Sequence, residues 1–343
     1  MTTYDKPFKT YREQIDLLKS RNLIIENDDF AIHALSTISY YDLINRYQSY
    51  FMPDGHNFID NTSIEQLYSL SMLDKSIQAF ILKYSMLIEN IFKTKLSYTL
   101  SNDFGVDTST YLAQPKYRES YQNPNGALTF LSVVAECKKT IEDNKIANNP
   151  TLYYRDHHNH IPPWILLKNL SFSNSINLFK LLKTAQREKI VEELIPNDNI
   201  PPNDRLNFIL CSLEAIRLLR NAAAHNLHFT AMRIDETRKL APTVLAKLLP
   251  GGILIQKSNK KVSPKEKPYL KGIYGIMLSM LIYLKTDYLM SEFIIDFLSI
   301  FNGANITSQE VKLFLFECYA HISDMPIDIT NRFNQYLTSL QQE

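Results

Sequence analysis

Apolar residues recur every three or four positions along most of the chain, with few breaks. The longest regular stretch spans residues 63 to 100. Leu70, Leu73, Ile77, Phe80, Ile81, Tyr84, Leu87, Ile88 and Ile91 form its stripe, with Asp74, Glu89 and Lys93 as charged exceptions. Ser63 and Gln66 have the spacing of a capping box, so a helix is predicted from there, with room for one break, stopping at Asn102-Asp103-Phe104-Gly105. Upstream, helices are predicted over residues 10 to 20, after Asp28-Asp29, and around 39 to 47, followed by a turn at Pro53-Asp54-Gly55. Downstream come a loop at 111 to 125, a helix at 127 to 145, a Pro-bounded loop around 153 to 163, and a helix opening at Trp164. Residues 170 to 174 interrupt or continue that helix. Another follows at 186 to 194 before Pro196 and Pro201-Pro202. A long helix is expected from Asn203 to about residue 229, then helices near 234 to 249, 270 to 298, 308 to 322 and 329 to 340. The pattern predicts an all-α fold: an N-terminal helical segment (1–60), a helical core (61–250) and a C-terminal helical extension (251–343).

Composition narrows the classes. The 343 residues include only 8 Gly, as a helical chain would. The formal net charge of +1 announces no nucleic acid globally, so any RNA surface must be local. Cys137, Cys211 and Cys318 lie too far apart in sequence to resemble a disulfide framework or a zinc site. Residues 1 to 19 are too polar for a signal peptide, and the apolar run 273 to 284 is too short to span a bilayer. A soluble cytoplasmic protein is expected, with no membrane or DNA partner. One segment is strongly basic. Between residues 256 and 271, Lys257, Lys260, Lys261, Lys265, Lys267 and Lys271 face one acid, Glu266. It suits an RNA backbone and equally suits a solvated linker.

The candidate chemistry lies in Leu218-Leu219-Arg220-Asn221-Ala222-Ala223-Ala224-His225-Asn226-Leu227-His228. At about 100° per residue, Glu214, Arg217, Arg220, Asn221, His225 and His228 share one side of a helix, and Ala215, Ile216, Leu218, Leu219, Ala222, Ala223 and Leu227 form the core-facing stripe on the other. A histidine can move a proton to or from a ribose oxygen, and an arginine can hold a phosphate. The pair needs no metal and no cofactor. Arg220 and His225 are nonetheless about 140° apart on an ideal helix, so two copies of the chain would complete such a site better than one. On spacing alone the stripe also reads as a polar interface between packed helices, and Arg-x4-His arises easily by accident.

Other candidates are weaker. Arg155 and His160 repeat the spacing, but in a Pro-bounded loop. His157, His158 and His160 lack the further ligands of a metal site. Arg46, among Tyr40, Tyr41 and Tyr47, is a candidate RNA contact, although such tyrosines more often pack a helical segment. Glu89 either orients an active-site cation or is an ordinary solvated glutamate.

Three blocks in order resemble the abortive-infection (Abi) family of anti-phage proteins, of the AbiD/AbiF type. The first is Lys6-Pro7-Phe8 with Glu13-Gln14-Ile15-Asp16-Leu17-Leu18-Lys19-Ser20-Arg21 and Ile38-Ser39-Tyr40-Tyr41. The second is Ile161-Pro162-Pro163-Trp164 with Leu170-Ser171-Phe172-Ser173, similar to a family Pro-x-Trp…Ser-Phe-Gly block. The third is Leu219-Arg220-Asn221-Ala222-Ala223-Ala224-His225, similar to Leu-Arg-Asn-x-x-x-His. Ser173 stands where the family often has Gly, and the position of His228 is variable.

The family is similar to HEPN-domain ribonucleases. The resemblance implies a HEPN-like helical bundle and a metal-independent endoribonuclease leaving a 2′,3′-cyclic phosphate. It makes Arg220, Asn221 and His225 the catalytic set, supported by Glu214, Arg217 and His228. It also implies a homodimeric composite site and a small structured non-coding RNA as antitoxin. Arg46, Lys257, Lys260, Lys261, Lys265 and Lys267 are the expected RNA contacts. The rival readings are a non-catalytic RNA-binding module and a phage-sensing interaction protein.

Overall fold

A computed structural model describes residues 6–123, 126–143, 150–235, 239–257, 261–302 and 308–340. The chain opens with α1 (Tyr11–Ser20), where the Thr10 side chain accepts from the Glu13 amide and Glu13 returns to the Thr10 amide. Then come α2 (Asp28–Ile38), capped by Asn27, and two short helices, α3 (Tyr40–Leu43) and α4 (Gln48–Phe51), joined by a 3-10 turn at Asn45–Tyr47. They lead into α5 (Ile64–Phe104), 41 residues and about 60 Å long. The Ser63–Gln66 capping box opens it. It has no break, because no Gly or Pro stands between its ends, and Gly105 at φ 90° closes it.

Everything else is arranged around α5. After α6 (Thr108–Tyr111) comes a hairpin of β1 (Ser120–Asn123) and β2 (Gly126–Thr129), antiparallel with Tyr121 opposite Leu128. The sequence reads as loop to residue 125 and as helix from 127, since strands of four residues carry too few alternations to be seen; the helix instead starts at Phe130, after β2. Then follow α7 (Phe130–Glu142), α8 (Thr151–His157), α9 (Pro163–Asn169), α10 (Phe172–Leu181), α11 (Thr184–Leu194) and α12 (Pro202–Ala224). Helix α8 corrects the expected loop: Tyr153 stacks on His157 and Tyr154 packs on His158, pairs four residues apart, as only a helical turn allows. Ser171 caps α10, which settles residues 170 to 174 as a break between two helices.

The C-terminal part holds α13 (Pro242–Leu248), α14 (Ile273–Leu284), α15 (Asp287–Asn302), α16 (Gln309–Ser323) and α17 (Ile329–Leu340). The apolar run is α14, buried along nearly its whole length, with Gly275 against the Leu270 backbone where a side chain would collide. The single helix expected over 270–298 is split at Lys285, φ 59°. Helices α9, α11 and α12 pack on α5, and so do α14, α15 and α16. The two end segments therefore share one hydrophobic core with the middle, from Ile15 to Tyr336. Phe80 and Tyr84 of α5 interlock with Phe293 of α15 at ring separations of 4.8 and 4.7 Å. Among the described residues no helix is long and apolar enough to cross a membrane.

Candidate active site

Helix α12 begins with Pro201 before Pro202 at its first position, a residue that lacks the amide proton this turn leaves unused. It was expected to run to about residue 229 but ends at Ala224. Leu227 N donates to Ala222 O at 2.8 Å and Asn226 N to Ala223 O at 3.1 Å, with Asn226 left-handed at φ 53°. This is a Schellman ending, and asparagine tolerates its left-handed position. The consequences are specific. His225 is the C-cap and is exposed. His228 falls off the stripe and lies half-buried, where burial lowers its pKa and the Arg46 and Arg233 charges lower it further. Leu227, expected in the core, is exposed.

A second layer holds this turn. Arg46, expected at an RNA surface, is 4% exposed and is not available to RNA in this conformation. Its guanidinium donates to Asp74 at 2.9 Å, to the Asn226 carbonyl at 2.8 Å, and to Asp42. Asn226 in turn donates to Asp42 at 3.2 Å and accepts from Lys75, while Gln78 donates to the Ala223 carbonyl. The Ala223 carbonyl at the end of α12, which carries partial negative charge, is thus met by an amide of α5, and the carbonyls of the turn just beyond the helix, Asn226 and Leu227, are met by the Arg46 cation of the N-terminal segment.

Arg220 stands about one turn before the helix end. Its Nη1 donates to Asn221 Oδ1 at 3.2 Å and its Nη2 lies 3.8 Å from Glu89 Oε2. Glu89 also pairs with Lys93 at 2.6 Å, and Lys93 donates to the Leu170 carbonyl. Burial pulls the Lys93 ammonium below its ordinary pKa, an effect Glu89 only partly offsets and Arg220 and Lys168 reinforce. Of the two readings of Glu89, the one beside an arginine is what the structure shows. Around these groups lies a cleft of about 340 Å³, closed on one side by α9 through Trp164, Leu167 and Lys168. Lys168 reaches Asn90 at 3.4 Å. Met86, Glu89, Asn90 and Lys93 line the cleft at helical spacing along α5.

His225 does not join this cleft in one chain. It lies five residues beyond Arg220, about 7.5 Å along the axis and about 140° round. Glu214 and Arg217 belong to another cluster: Glu214 binds Lys180 and Arg217 at 2.8 Å each, and Lys180 also reaches Asn123 of the hairpin. Burial would raise the Glu214 carboxyl, but the two cations more than offset it and hold it below its usual range. The basic segment is ordered where described. Lys257 N donates to Lys261 O at 2.8 Å, and Glu266 turns inward to take both Arg332 nitrogens at 2.7 and 3.0 Å. Lys257, Lys261, Lys265 and Lys267 are exposed; Lys260 lies outside the described residues. Among the described residues no three metal-ligating side chains gather, and His157 and His158 are spent on the tyrosine contacts above.

Of the residues that line this cleft, sequence reasoning named Arg220 as a candidate and did not single out Trp164, Lys168, Asn90 or Lys93 for it. The signal was partly present, since Trp164 sits in one of the three family-like blocks and the structure brings that block to the cleft of another. The residues lining one cleft come from α5, α9 and α12, and no linear spacing links them.

The buried-helix architecture and the Arg-Asn-x-x-x-His helix end define a helical protein whose polar site is built at the end of one core helix. The chain belongs to the Abi-like protein family, which matches residues 33–229, more than half its length. Membership points to abortive infection, a defence against phage. No curated protein and no solved structure matches the chain significantly.

Proposed function

We propose that the protein is an abortive-infection toxin of the AbiD/AbiF type, a HEPN-like endoribonuclease held in check by a small structured non-coding RNA. The observation that carries this reading is an Arg-Asn-x-x-x-His helix end whose arginine opens into a cation-lined cleft while its histidine is exposed at the C-cap. Arg220 and Lys93 bind the scissile phosphate and stabilise its developing charge. The ribose 2′-oxygen attacks phosphorus and loses its proton to a base. The bond to the 5′-oxygen breaks, and that oxygen takes a proton from an acid. The products are a 2′,3′-cyclic phosphate and a 5′-hydroxyl, with nothing added or removed. His225 serves as base or acid, and Asn221 fixes the Arg220 guanidinium. The chemistry runs on these side chains without a metal. Because one chain holds Arg220 and His225 on different sides of α12, a second copy supplies the missing partner and the working form is a homodimer. The lysines of 257–267 hold the RNA backbone.

The test uses full-length protein stripped of nucleic acid, incubated with RNA in EDTA, wild type beside Arg220→Ala and His225→Ala. Wild type is expected to cut and leave cyclic phosphate ends, with each variant down by at least about 100-fold. Equal cutting by folded variants refutes the assignment. The angular separation of Arg220 and His225 favours one alternative, a module that grips RNA without cleaving it. Tight RNA binding without cleavage, unchanged by concentration across the dimerisation range, supports that alternative instead.

A further inference from the structure

Trp164 is the only tryptophan of the chain and is 45% exposed. It lies on α9 at the rim of the Arg220 cleft. Lys168 stands one helical turn further on, and Glu89, Lys93 and Arg220 complete the floor. An indole left half in water forgoes burial that a neighbouring helix would readily supply. Here it sits among three cations, of which one carboxylate, Glu89, already engages two. Cations that hold a phosphate beside a large aromatic face are what single-stranded nucleic acid uses: the backbone lies on the charges and a base stacks on the ring. A duplex cannot use such a platform, because its bases already stack on their neighbours.

We propose that Trp164 is the stacking platform for an unpaired base of single-stranded RNA, next to the phosphate held by Arg220 and Lys93. The substrate class is therefore RNA with at least one unstacked base at the cleavage position, and Lys168 takes the phosphate on the far side of that base. This inference rests on the RNA reading above and adds the strand state and the residue that senses it.

A single tryptophan makes the test direct. His225→Ala protein, stripped of nucleic acid, is titrated with a short single-stranded oligouridylate and with the same strand annealed to its complement, reading tryptophan emission. The single strand is expected to quench the emission saturably, and the duplex to need at least about fivefold more. By anisotropy of a labelled strand, Trp164→Ala is expected to bind about tenfold more weakly, and Trp164→Tyr, which keeps a ring, within about threefold of the parent. Unchanged emission at saturating strand overturns the inference, as does an alanine variant that binds like its parent, or no binding of either RNA. Emission already shifted to the blue and insensitive to RNA would mean that a second protein copy covers the indole, which also overturns it. Because binding is read in protein that does not cut, the two readings fail separately. Weaker strand binding by the alanine variant in anisotropy, with wild type unable to cleave, sinks only the nuclease. Cleavage by Trp164→Ala with unchanged KM sinks only the platform.

Discussion

Replacing Arg46 with Met tests whether the N-terminal segment fixes the turn that presents His225. Arg46 and Asp74 form a buried pair at 2.9 Å, both side chains nearly inaccessible. Burial works against both charges. At Arg46 it is outweighed by Asp42 and Asp74, so the guanidinium stays above its ordinary pKa. At Asp74 burial wins over Arg46 and Lys75 and raises the carboxyl from 3.8 to about 6. The carboxylate is the weaker partner, because Asp42 adds to the hold on the arginine and not to the hold on Asp74. The sign follows. Between pH 3.8 and about 6 the folded protein holds the Asp74 proton and the unfolded chain has released it, so stability falls as pH rises through that window, by about 3 kcal/mol. Without Arg46 the folded Asp74 keeps its proton to still higher pH, and the fall continues above 6. At about pH 8 the loss is expected to be about 3–5 kcal/mol, that of a buried charge stripped of its partner. At about pH 5, where Asp74 is protonated in both proteins, the bond to Asp42 and the hydrogen bonds to the Asn226 and Leu227 carbonyls are what is missing, and the loss shrinks to about 2 kcal/mol. Urea unfolding at the two pH values measures both. A loss equal at both, or Asp74→Asn as damaging at pH 8 as Arg46→Met, refutes the reasoning. A loosened turn is also expected to lower RNA cleavage in conditions where the variant remains folded.

Three further perturbations are worth making. Gly275→Ala puts a methyl into the Leu270 backbone, so α14 must shift in the core; a stability loss of at least about 2 kcal/mol is expected by thermal unfolding, and a loss below half that would mean the contact relaxes freely. Glu89→Gln removes the carboxylate that engages both Arg220 and Lys93, so RNA affinity is expected to rise about threefold or more; unchanged affinity with lost cleavage would instead place Glu89 in proton transfer or positioning. Changing Lys257, Lys261, Lys265 and Lys267 together to Gln is expected to flatten the dependence of log affinity on log salt by about 2 to 3, and an unchanged slope removes this arm from the RNA surface.

The helices were legible where their own sequence decides them. Ser63 with Gln66 fixed the start of α5, and the lack of Gly and Pro carried it to Phe104. What the sequence hid was decided by partners distant in the chain. His228 looked like a member of the polar stripe because nothing between Ala222 and Phe229 is a Gly or Pro, yet the helix stops. Asn226 takes a left-handed conformation that Arg46, Asp42 and Lys75 hold in place, the first two about 180 residues away. Arg46 likewise looked like a surface cation among tyrosines. Its burial depends on Asp74 of α5 and the end of α12 coming to the same point.

The same contacts explain why the site stands where it does. Lys75 meets Asn226, Gln78 meets Ala223 and Glu89 meets Arg220, so positions that ascend along α5 descend along α12. Helix α5 therefore sets both the turn that presents His225 and the cleft that holds Arg220. The N-terminal segment adds only Arg46 and Asp42, and it adds them at the turn. Releasing that segment would leave the Arg220 cleft intact and loosen the His225 turn, which would keep only its contacts to Lys75 and Gln78 of α5. An agent acting on residues 6–60 is thus expected to change turnover while leaving phosphate binding in place, and kcat falling at constant KM in Arg46→Met is the corresponding signature.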